Sequence, residues 1–144
     1  MKLSLLLWLT SVLPQPVADQ TCLATTVYLE ARSQSNIGQQ AVAEVALRRR
    51  ERSTQGTTVC DVVKAPHQFA VSTTPRNFDV DNADAYAKAW QVASYAIANW
   101  KLPVDERTVL VPHADHFATV STSPRWLHSR AITTIGAHRF YAVD

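Results

Sequence analysis

Between Asn82 and Pro103 the chain carries its most restrictive pattern: Tyr86, Trp90, Ala93, Ile97 and Trp100 recur at spacings of three and four residues. That spacing puts one broad apolar face on a helix of about Ala83 to Lys101, with Asn82 placed to cap it and Pro103 to stop it. A helix so long and one-sided needs other elements to lie against. Thr21 to about Gln34 reads as a helix with Leu23 and Val27 on one stripe, and about Ile37 to Arg50 as another with Ile37, Ala41, Val45 and Ala46 inward. The basic run from Arg48 to Arg52 suits the C-terminal end of the second helix and reads as a solvated cap. TTVCDVVK reads as a short helical turn running into a loop. After Pro103 the pattern changes to extended segments, TVLVPHADHFATV and ITTIGAHRFYAV, separated by SPRWLHS. The expected fold class is α+β: a mostly helical single domain with a small β region near the C-terminus.

Residue stock removes several function classes. With 14 Lys+Arg against 12 Asp+Glu the net charge is only +2, so there is no concentrated basic field for nucleic acid. Three glycines, Gly38, Gly56 and Gly136, cannot build a GxGxxG fingerprint or a GxxxxGK[ST] phosphate loop, and no cofactor is expected. Cys22 and Cys60 are too few for a four-thiolate zinc site and could make one disulfide. His113 and His116, in an extended segment, would point to opposite faces, which argues against their sharing one metal. A zinc site of His116, His138 and an aspartate stays an alternative, although the expectation is no metal. No GxSxG elbow is present.

The opening MKLSLLLWLTSVLPQPVADQ has one basic residue, an apolar run from Leu3 to Leu13 and a small residue at Ala18, the pattern of a secretory signal. Residues 1–18 are therefore expected to be a signal peptide or, if uncleaved, a weak membrane anchor and the chain's only membrane contact. Residues 19–144 would be the mature domain, a monomer that is secreted or periplasmic. In that oxidising setting Cys22 and Cys60 are expected to pair.

Glu30 continues the stripe of Leu23 and Val27, placing a carboxyl where an apolar side chain is expected. Burial raises a carboxyl pKa, and a carboxylic acid kept protonated near neutrality is what a general acid needs. Periodicity alone fits a catalytic acid or a buried ion pair.

CLATTVYLEARSQSNIGQQAVAEVAL resembles the opening of the cell-wall hydrolase family typified by the catalytic domain of spore cortex-lytic enzymes, with Glu30, Ala31 and Arg32 as its Glu-Ala-Arg triplet. TTVCDVVKAPHQFAVS is similar to the family's Cys-Asp-Val-Val segment followed by Gln-Phe, supplied here by Gln68 and Phe69. ADHFATV resembles an Ala-Thr-His-Tyr block, SPRW a Pro-x-Trp, and IGAHRFY the closing Ile-Gly-x-His-x-Phe-Tyr. The blocks keep their order from Cys22 to Tyr141. The resemblance implies a lysozyme-like fold and cleavage of peptidoglycan glycan strands between N-acetylmuramic acid and N-acetylglucosamine by lytic transglycosylation, in a phage lysin (endolysin) or a small bacterial remodelling enzyme. It assigns the catalytic acid to Glu30. It implies a substrate groove at Gln68, Phe69, Asp115, His116, Phe117, Trp126, His138 and Tyr141.

The chain departs from the family where Ser33-Gln34 replaces Gly-Glu, where Arg48 replaces the Asn of an Asn-Arg pair, and where Asp115 replaces a Thr. A hydrolase would need a second carboxylate, for which Asp115, Asp79 and Asp81 are candidates. Glu44, on the second helix where the family block has no fixed acid, is expected to leave activity nearly untouched when changed to Gln. A zinc-dependent muramoyl-alanine amidase and a non-catalytic wall-binding module are the alternatives.

Overall fold

The computed structural model describes residues 1–54, 57–122 and 129–143. Six helices precede a small sheet: α1 (Leu3–Val12), α2 (Gln15–Ala31), α3 (Asn36–Glu51), α4 (Val59–Lys64), α5 (Ala70–Thr73) and α6 (Ala83–Trp100), then β1 (His116–Thr119), β2 (Arg130–Ile135) and β3 (His138–Ala142). The sheet is antiparallel in the order β1-β3-β2, with His116 opposite Tyr141 and Ile135 opposite His138.

The central element is α2, which packs on α1, α3, α4 and α6. Every residue from Thr21 to Tyr28 is buried. Three of them are threonines, tolerable there because each hydroxyl donates to a carbonyl one turn back: Thr21 to Val17, Thr25 to Thr21 and Thr26 to Cys22, all at 2.8 Å. The helix starts at Gln15, six residues before the expected Thr21, because Pro16 sits in the first turn, where its missing N–H costs nothing. A disulfide joins Cys22 of α2 to Cys60 of α4, as expected, with 5.3 Å between their Cα atoms.

Both other long helices form as expected, and their caps are visible. Asn82 accepts from the Ala85 N–H at 3.0 Å, and Ser35 from the Gly38 N–H at 3.2 Å. Ala89, Val92, Ala93, Ala96 and Trp100 form the inner face of α6, while Tyr86, Trp90 and Ile97 are half-buried at its margin. On α3, Ala41, Val45 and Ala46 face the core, but Ile37 in the first turn is 55% exposed, contrary to expectation.

Two further expectations fail at one place. The Arg48–Arg52 run is not simply a solvated cap, and the stretch before β1 is not extended strand. Arg48 is buried and donates to the carbonyls of Val111 (3.1 Å) and Ala114 (2.7 Å). Glu44, one turn earlier and also buried, accepts from the N–H groups of Leu110 (2.9 Å) and Val111 (2.7 Å) and lies 3.6 Å from Arg48. Side chains of α3 thus take the backbone groups that a strand partner would have taken. His113 accordingly sits in a turn with φ 65°, so the argument from strand alternation between His113 and His116 does not apply. Glu44 thus anchors the 110–111 backbone to α3. Glu44→Gln, which leaves one oxygen acceptor beside two N–H donors and unpairs Arg48, is expected to cost about 1–3 kcal/mol, read as a lower denaturation midpoint.

Candidate active site

Glu30 lies in the last turn of α2, where the helix emerges from the core beside the α4–α5 connection. Its side chain borders a cavity of about 330 Å³ whose walls are His67, Gln68, Phe69, Ala70 and Thr73 on one side and Phe117, Ala118, Thr119, Thr122 and His138 on the other. A second hollow of about 560 Å³ shares His67, Gln68, Phe69 and Phe117 with the first and adds Val45, Arg49 and His116. Together they form a cleft between the helices and the sheet.

Aromatic side chains make the cleft's inner wall. Phe117 stands 6.0 Å from Phe69, 5.4 Å from His138 in an edge-on arrangement and 5.8 Å from Phe140, measured between ring centres. Arg49 lies over the Phe69 ring at 5.0 Å and donates to Gln68 Oε1. Half-burial pushes the Glu30 carboxyl up to about 7, against a smaller opposing effect of a hydrogen bond from the Ala70 backbone. Burial also lowers the pKa of His138, favouring its neutral ring, and its Nδ1 has no hydrogen-bond partner among the described residues.

The structure therefore brings Glu30, Gln68, Phe69, Phe117 and His138 around one cavity, with His116 in the adjoining hollow. Asp115 lies deeper, only 2% exposed, accepting from the Val143 N–H at 2.8 Å and lying 2.9 Å from His116 Nδ1 and 3.3 Å from Arg52. Tyr141, opposite His116 in the sheet, is buried and lines neither hollow. Trp126 lies outside the described residues. His67, Thr73, Thr119 and Thr122 were not anticipated. The signal for His67 is its place just before Gln68 and Phe69, where it turns the chain with φ 60°.

Gln34 links two turns beside the cleft. Its Oε1 accepts from the Ala137 N–H at 3.0 Å, tying the α2–α3 turn to the β2–β3 turn one residue before His138. Gly136, at φ 58°, leaves room for that oxygen, where a Cβ would collide with it.

Residues 33–141 match the cell wall hydrolase family. The chain belongs to that family. The matched stretch begins three residues after Glu30 and includes every other residue of the cleft. Among solved structures the chain is similar to the catalytic domain of the germination-specific lytic transglycosylase SleB of Bacillus anthracis, at 24% identity and a TM-score of 0.65, covering 85% of this chain and 93% of that one. It is also similar to the catalytic domain of the Bacillus cereus SleB protein, at 28% identity and a TM-score of 0.62, covering 85% and 88% respectively. No curated protein sequence matches it. The mostly helical α+β fold with a small C-terminal sheet is the fold of these catalytic domains.

Proposed function

We propose that this member of the cell wall hydrolase family cleaves peptidoglycan between N-acetylmuramic acid and N-acetylglucosamine as a lytic transglycosylase, with Glu30 as its acid and base. The observation that carries the reading is a carboxyl held near pKa 7 at the edge of an aromatic-walled cleft. Protonated Glu30 donates its proton to the glycosidic oxygen as the C1–O bond breaks and positive charge develops at C1 of the muramic acid. The resulting carboxylate then takes the proton of the muramoyl 6-hydroxyl. O6 bonds to C1, closing a 1,6-anhydro ring and returning Glu30 to its protonated form. Phe69 and Phe117 offer apolar surface to sugar rings, and neutral His138 lines the same cavity.

One carboxylate suffices for this cycle. Two of the three other candidates have structural employment: Asp115 with Arg52, His116 and Val143, and Asp79 with Lys2 at 3.0 Å. Among the described residues no group of three His, Cys, Asp or Glu side chains is arranged to hold a metal. The reading places the enzyme at the cell wall, exported through residues 1–18, as a phage lytic enzyme or a bacterial remodelling enzyme.

The pH–rate profile tests the acid. Because Glu30 acts first in its protonated form, kcat/KM should hold below neutrality and fall as pH rises through about 7, with no response to chelators. A profile flat from about pH 5 to 9 would remove Glu30 as the proton donor.

A further inference from the structure

Asp115, immediately before β1, meets three partners through two oxygens. Oδ1 accepts from the Val143 N–H at 2.8 Å and lies 2.9 Å from His116 Nδ1, while Oδ2 accepts from Arg52 at 3.3 Å. A backbone N–H and a guanidinium can only donate, so both oxygens serve as acceptors in this arrangement. The remaining contact then has one sense: His116 Nδ1 carries a hydrogen and donates it to Oδ1. In a neutral imidazole that leaves Nε2 without a hydrogen and makes it an acceptor.

The placement of the ring turns this assignment toward the cleft. Asp115 is only 2% exposed, whereas His116 lines the hollow of about 560 Å³ next to the Glu30 cavity and keeps 22% of its side chain exposed. Because the Nδ1 edge of the ring faces a buried carboxylate, the exposed edge is the opposite one, which holds Nε2. The backbone fixes both residues. His116 is paired with Tyr141 across the sheet, and the Asp115 N–H donates to the Tyr141 carbonyl at 3.0 Å.

We propose that Asp115 is a positioning residue: it holds His116 in the Nδ1–H tautomer, so that Nε2 accepts a hydrogen bond in the hollow from a hydroxyl or N-acetyl N–H of the glycan. The inference rests on the proposed function for the identity of the glycan and adds the residue that sets the polarity of one contact. A carboxylate enforces that polarity. An alcohol at position 115 can donate to Nδ1 as well as accept from it, and so releases the tautomer.

Nitrogen-15 spectra of the labelled protein at about pH 8, where an ordinary histidine is neutral, read the tautomer without any activity assay. His116 should show the Nδ1–H form, and an Nε2–H ring in the unaltered protein would overturn the proposal. Asp115→Asn, whose amide oxygen can replace Oδ1, should keep the Nδ1–H form, and folded Asp115→Thr should shift the ring toward Nε2–H. Binding of soluble N-acetylglucosaminyl-N-acetylmuramic acid oligosaccharides, measured with Glu30→Gln also present, tests the contact. His116→Asn should weaken it about tenfold, the loss of one hydrogen bond, and His116→Gln, whose amide oxygen reaches toward the place of Nε2, should restore most of it. Undiminished affinity in a folded His116→Asn variant would overturn the contact. Failure of the transglycosylase reading shows elsewhere, as full turnover by Glu30→Gln, and leaves the His116 spectrum unaltered.

Discussion

Glu30→Gln should reduce turnover by at least about a hundredfold while the protein stays folded, because it keeps the shape of the side chain and removes the proton it donates. The same group acts again as base in the ring-closing step, so the loss should exceed that of a residue used once. Stability should move the other way. Burial raises the Glu30 pKa from 4.5 to about 7, so its favourable contribution is complete below about pH 4.5 and is lost as pH rises through about 7. Glutamine has no such dependence. The variant should therefore melt close to wild type at about pH 4.5 and above it at about pH 8, by an amount on the order of 2–3 kcal/mol less the effect of solvent screening. Thermal melts at the two pH values, with lysis assayed on the same preparations, check both halves. Glu106→Gln, an exposed change at a residue that lines neither hollow, is the control and should leave activity unaltered.

Loss of the Cys22–Cys60 bond is expected to be the most costly change to stability. It closes a loop of 38 residues, worth about 4 kcal/mol in the chain-entropy account, a large part of the whole stability of a domain this size. The bond also fixes α4 against α2, and α4 leads directly into His67, Gln68 and Phe69 on the cleft wall. Cys22→Ala with Cys60→Ala should lower the melting temperature by roughly 10–20 °C and reduce activity at temperatures where the protein is still folded. Alkylation of the denatured, unreduced protein gives the direct check: no thiol should react, and two reactive thiols per chain would contradict the bridge.

What the sequence disclosed follows from which interactions are local. The long helix α6 was legible to within one residue of its observed end, since its apolar period and Asn82 cap are both written in neighbouring residues. The stretch holding β2 and β3 reads as a single extended segment, and the turn at Gly136, with φ 58°, that folds it into a hairpin is not part of that reading. By contrast the apolar stripe places the start of α2 at Thr21, whereas the helix begins at Gln15 with Pro16 in the first turn, which accepts proline. The segment before β1 was read as strand because its residues favour extended backbone, yet its hydrogen bonds go to Glu44 and Arg48, more than sixty positions away. No local pattern announces that. Glu30 was visible as a charge on an apolar stripe, whereas its approach to Phe117 and His138 depends on how the sheet folds back against α4 and α5. Asp115 illustrates the reverse case: its type fits a second catalytic carboxylate, and only its bonds to Arg52, His116 and Val143 reveal an internal strut.

The central claim is that Glu30 drives an intramolecular ring closure rather than attack by water. Digestion of purified peptidoglycan in heavy-oxygen water, followed by mass spectrometry of the fragments, tests it most directly. The account predicts muramic acid ends that are lighter by one water than reducing ends, contain no heavy oxygen and disappear with Glu30→Gln. Reducing ends labelled with heavy oxygen, or free stem peptides with intact glycan strands, would contradict it.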